Sequence, residues 1–200
     1  MDQISIERYL KTDIEKNAFN EYKGRMPFKI VAFAKKLGID VYDFDDISEV
    51  NEETGQNFTD NTISGVIISK NNKYKIFTNT FIKIQGKKNI SHSSFTVAHE
   101  LGHYFLHRSD LDRNTYFYNT FQNQKHQYTE EEKTREKEAN NFAAELLMPE
   151  MLVISKWNEN KEKPDAIGIL AHYFNVSYLA MSFRVANVMN INSEDLLNLA

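Results

Sequence analysis

The stretch FTVAHELGHYFLH, residues 95–107, limits this chain more than any other. Phe95, Val97, Ala98, Leu101, Gly102 and Leu106 would line a buried helix, yet His99, Glu100 and His103 ride in the same turns. Unpaired charge is costly to bury, so the triplet needs a partner. Helical residues four apart share a face about one turn from each other. His99 and His103 can thus aim two imidazole nitrogens at one ion. Glu100, one residue round, reaches a neighbouring water rather than the ion. The arrangement suits zinc, which lowers the pKa of water toward about 7 and lets a carboxylate take the proton.

A catalytic zinc takes three protein ligands. The chain has no cysteine, so thiolates and disulfides are excluded. His107 would lie a further turn along, about 6 Å past His103. No glycine in HYFLH folds it back. We read His107 as a polar residue near a helix end, favoured there by the helix dipole. REKEANNFAAELLMP, from residue 135, offers a better third ligand. Glu136, Ala139, Asn140, Ala143 and Leu147 form one helical face, apolar except for Glu136 and Asn140. Glu136 would bind the ion, and Asn140 would accept the free N–H of a ligand histidine. Glu138 falls on another face, with Phe142 and Glu145, and reads as a solvated charge. Helical spacing favours Glu136 over Glu138 without settling the choice.

The pattern elsewhere predicts helices, a small sheet, then helices, an α+β chain. A helix is expected over 3–23, ended by Gly24, and a second from Pro27 to Gly38. IDVYDF at 39–44 alternates like a strand, and residues 45–61 read as a polar loop. ISGVIISKNNKYKIFTN reads as a β-hairpin turning at Asn71-Asn72. Residues 80–91 form a connection, and 109–128 a long loop beside the site. TEEEKTREKEANNFAAELLMPE is a helix opened by a capping box of Thr129 and Glu132 and closed before Pro149. We divide the chain into an N-terminal helix (1–26), a core (27–150) and a C-terminal helical region packed on it (151–200).

FTVAHELGHYFLH followed by EKEANNFAAELLMP resembles the ImmA/IrrE metallopeptidases. AKKLGIDV before the sheet and LAHYFNVSYLAMSFRV near the end extend the likeness over roughly residues 27–187. The resemblance implies a zincin-like fold: a small mixed or antiparallel sheet, a helix carrying the zinc motif, and helices around them. It implies a gluzincin-like site with one Zn2+, or another divalent ion, on His99, His103 and Glu136, and Glu100 as general base. It also implies a regulatory protease that cuts a small helix-turn-helix repressor of the Xre/Cro type. The alternative is a metal-containing regulator or toxin-like protein that binds a partner without cleaving it. For oxyanion stabilisation we expect Tyr128, His126 or Arg184, with Tyr104, Tyr116 and Tyr118 as further candidates. An edge strand of the 63–78 hairpin is expected to hold the substrate.

The segment LAHYFNVSYLAMSFRV has the rhythm of a helix-turn-helix, with Ser177 as cap. From 177 to 188, however, Arg184 is the one basic residue. Recognition helices present several donors, and a net charge of −4 argues the same way, so no direct nucleic-acid binding is expected. The charged N-terminus lacks the apolar core of a signal peptide, and no run is long enough to span a membrane. A cytoplasmic protein is expected.

Overall fold

The computed structural model describes residues 6–44, 46–59, 63–79, 83–84, 87–88, 90–114, 116–120 and 128–192. A four-stranded mixed sheet lies at its centre, with order β1 (Ile39–Phe44), β3 (Lys73–Asn79), β2 (Ile63–Lys70), β6 (Tyr116–Thr120). β1 runs parallel to β3, and β2 runs antiparallel to both β3 and β6. The hairpin turns where expected: Asn71 and Asn72 take φ of 54° and 60°, the left-handed pair that a two-residue turn demands. A small pair, β4 (Lys83–Ile84) and β5 (Lys87–Lys88), stands apart from this sheet.

Alternation along β2 gives the sheet two buried faces. Ile67 joins the main core beneath α4 (Ile90–Leu106). Val66 and Ile68 join Phe44, Ile47, Val50, Ile63 and Phe77 in a second cluster. α3 (Ser48–Thr54) supplies Val50 to that cluster and replaces the loop expected there. Within SEVNEET only Val50 is buried, so no apolar stripe announced the helix. Gly65 faces α4: a Cβ there would lie 2.3 Å from Thr96 Cγ2 and 3.1 Å from Glu100 Oε1.

The segment after α4 also departs from expectation. It forms α5 (Arg108–Asn114) and then β6, not a continuous loop. β6 takes the sheet edge beside β2, so both hairpin strands are interior and neither can accept an added strand. The N-terminal helix is shorter than expected, with a 3-10 turn at Ile6–Tyr9 followed by α1 (Asp13–Tyr22). Thr12 and Glu15 form a capping box that starts α1 late. α2 (Ile30–Lys36) begins three residues after Pro27.

α6 (Glu130–Leu147) starts at the Thr129–Glu132 capping box and packs along α4. α7 (Glu150–Asn160), α8 (Ala166–Phe174) and α9 (Tyr178–Met189) follow, with Ser177 capping α9. One buried cluster draws on Ile6, Leu10 and Phe19 as well as Val153, Leu170 and Val185. Among the described residues, no single helix is long and apolar enough to cross a membrane.

Glu15 ties the N-terminal segment to α5. Its carboxylate accepts from the Lys11 and Thr12 amides at 2.6 and 2.9 Å and from Arg108 at 2.6 Å. Burial pushes its pKa up, but Arg108 and the two amides outweigh burial and hold it below the usual carboxylate value. The ion pair therefore stabilises the fold above the unfolded-state pKa and is lost as pH falls through the lower native one. Glu15→Gln is expected to lower unfolding stability by about 1–3 kcal/mol at pH 7. Urea titrations at descending pH should show the gap to wild type closing in acid. A gap independent of pH would contradict this account.

Candidate metal centre

α4 and α6 cross closely because both carry small residues at the contact. A Cβ on Gly102 would sit 2.9 Å from Ala139 Cα and 3.0 Å from its carbonyl oxygen. Backbone therefore meets backbone, and short distances across the crossing become possible. Gly102→Ala forces the helices apart and should cost about 1–3 kcal/mol, less the gain in helix propensity. It should weaken metal binding as well. Unchanged urea midpoint and unchanged zinc affinity would refute this role.

Through that crossing α6 delivers Glu136 to the two histidines of α4. Its Oε2 lies 3.2 Å from His99 Nε2 and its Oε1 lies 3.4 Å from His103 Nε2. The two Nε2 atoms are 3.1 Å apart. Ligand atoms about 2.0–2.1 Å from a tetrahedral zinc stand roughly 3.3 Å from each other, so the triangle has the right size. Asn140 Oδ1 lies 3.0 Å from His99 Nδ1. An amide oxygen accepts, so Nδ1 carries the proton and His99 Nε2 is left with its lone pair.

The protonation states agree with this arrangement. Burial pushes His103 down to about 4, so its ring is neutral at pH 7. Burial alone would raise Glu136, but without an ion the His103 and His99 rings can donate N–H to it and bring it down to about 2; a bound cation takes the place of those protons. Neutral imidazoles and an ionised carboxylate are the forms that bind a cation. Glu100 is fully buried, and neither of its oxygens has a hydrogen-bond partner. Burial, then the nearby Glu136 charge, raises it well above its ordinary value. An orphaned buried carboxyl beside three converging donors fits a site built to hold an ion and a water.

A cleft of about 340 Å³ opens beside Glu136, lined by Tyr116, Phe117, Tyr118, Tyr128, Glu132 and Arg135. The Phe117 ring packs on His103 at 5.0 Å. A family model described as the IrrE N-terminal-like domain, Peptidase_M78, matches residues 34–186 and so encloses all four site residues. The chain belongs to the Peptidase_M78 family. None of the curated proteins matches it. Membership of Peptidase_M78 brings a metallopeptidase-like function, and the buried His99–His103–Glu136 group could hold the metal.

The other candidates separate. Tyr118 and Tyr128 line the cleft, as does Tyr116. Tyr104 is buried elsewhere, under the Arg108 guanidinium at 3.9 Å. His126 lies outside the described residues. Arg184 is engaged away from the cluster, bonded to Glu145 and to the Met148 carbonyl. Glu145 is nine residues beyond Glu136 on α6, about 13 Å along the axis. Arg184 therefore joins α9 to the end of α6 and does not face the metal donors.

Two further residues make contacts that spacing alone does not predict. His107 is buried, its Nδ1 3.1 Å from His103 Nδ1 and its Nε2 2.9 Å from Glu138 Oε2. Glu138 is thus paired despite its exposed position. The signal was present in the four-residue spacing of His99, His103 and His107, but spacing on one helix does not reveal the partner on another.

Proposed function

We propose that this protein is a zinc-dependent endopeptidase that acts as an antirepressor, cutting a small helix-turn-helix repressor of the Xre/Cro type. The donor triangle of His99, His103 and Glu136, with the unpartnered Glu100 carboxyl beside it, carries the peptidase reading. Two imidazoles and a carboxylate favour zinc over magnesium or calcium. A divalent ion bound there supplies Lewis acidity, polarising a peptide carbonyl and acidifying water. Glu100 takes the proton of the attacking water and delivers it to the leaving amine. Phe117 covers one side of the His103 ring and keeps it dry. Tyr118 and Tyr128 offer hydroxyl groups from the cleft wall to the developing oxyanion.

The substrate lies extended along β6, the sheet edge that borders the cleft. The repressor as partner, and action in the cytoplasm, are our reading of the family likeness and are what the test below decides. Direct DNA contact forms no part of the reading, because the basic side chain of α9 is already paired with Glu145. The test incubates zinc-loaded protein with the helix-turn-helix repressor encoded nearest its gene. One new amino terminus, abolished by a chelator, is the expected product. A repressor left intact removes the antirepressor role. Failure to cut unfolded protein as well removes the peptidase reading.

A further inference from the structure

We propose that His107 and Glu138 form a positioning relay that fixes the His103 ring for metal binding. The inference rests on the metal-centre reading and adds two residues to it. His103 and His107 are buried side chains one turn apart, and their Nδ1 atoms lie 3.1 Å from each other. One of those nitrogens must carry a hydrogen, and Glu138 decides which. Its carboxylate only accepts, and it sits 2.9 Å from His107 Nε2. A neutral His107 then carries its proton on Nε2 and accepts at Nδ1. The donor to that Nδ1 is His103 Nδ1–H, which leaves the His103 Nε2 lone pair facing Glu136 and His99.

The chain thus runs carboxylate, imidazole, imidazole, metal position. His99 has a shorter counterpart in Asn140. Phe117 touches both rings of the relay, 5.0 Å from His103 and 6.4 Å from His107, and limits their rotation. Groups that orient a ligand histidine raise its basicity and fix its tautomer, and their loss typically weakens metal binding by about 10–100-fold. Glu138 stands at the surface end of the chain, with its side chain 54% exposed. That exposure makes it a clean probe, since its removal disturbs little packing.

The experiment measures zinc dissociation constants by competition with a chromogenic chelator in wild type, His107→Phe, Glu138→Ala, the double variant and His107→Gln. His107→Phe keeps a ring but no nitrogen, and is expected to bind zinc about 10–100-fold more weakly. Glu138→Ala weakens binding by a smaller factor and adds nothing in the His107→Phe background. His107→Gln, which can accept from His103 and donate to Glu138, recovers part of the loss. A packing role alone predicts no effect from Glu138→Ala. Wild-type affinity in both single variants, or an equal effect of Glu138→Ala in both backgrounds, overturns the relay while leaving the metal centre standing. A wild type that binds no zinc overturns both.

Discussion

Glu100→Gln should lower the peptide-cleavage rate by about 10²–10⁴-fold and leave zinc binding close to wild type. The substitution keeps the shape of a side chain buried at 0% exposure and puts an amide, which cannot take the proton, in place of the carboxylate. Neither Glu100 oxygen contributes a hydrogen bond to the fold, so the amide disrupts none. In the metal-free protein the neutral amide should be tolerated as well as the carboxyl, whose charged form burial already disfavours. The measurement pairs initial rates at saturating zinc with metal stoichiometry. Retained cleavage would deny Glu100 the role of base. Retained biological effect without cleavage would favour a regulator that binds its partner and does not cut it.

Glu136→Ala should produce the largest loss of metal affinity. It removes a donor placed 3.2 and 3.4 Å from the two imidazole nitrogens. The loss should exceed the roughly 10–100-fold typical of residues that only orient a ligand. His99→Ala should act alike. Thermal unfolding provides a second readout: an ion that binds the native state alone adds about 2.7 kcal/mol at a hundredfold excess over its Kd. Zinc should therefore raise the wild-type midpoint and leave that of Glu136→Ala almost unmoved. Equal shifts in both proteins would place the ion elsewhere.

What could be read in the chain depended on how local the cause was. The hairpin turn is set by Asn71 and Asn72 themselves, and the start of α6 by Thr129 and Glu132. His99 with His103 on one helix, and Glu136 with Asn140 on another, are each four residues apart, so their shared faces followed from geometry within each segment. α3 was hidden because its sequence is polar and only Val50 faces inward. β6 was hidden because Tyr116, Phe117 and Tyr118 show no alternation between apolar and polar. It is a strand because β2 lends it a partner. The pairing of His107 with Glu138 likewise depends on how two helices cross. Arg184 is held away from the site by a carboxylate 39 positions distant, which no local pattern announces.

Gly65 lies under Glu100, where an added Cβ would collide with Thr96 and touch the Glu100 carboxyl. Positions 65 and 96 thus share one steric allowance between strand and helix. Among related chains, alanine at 65 should travel with serine or glycine at 96, and engineered libraries that vary position 65 while keeping threonine at 96 should return mostly inactive clones.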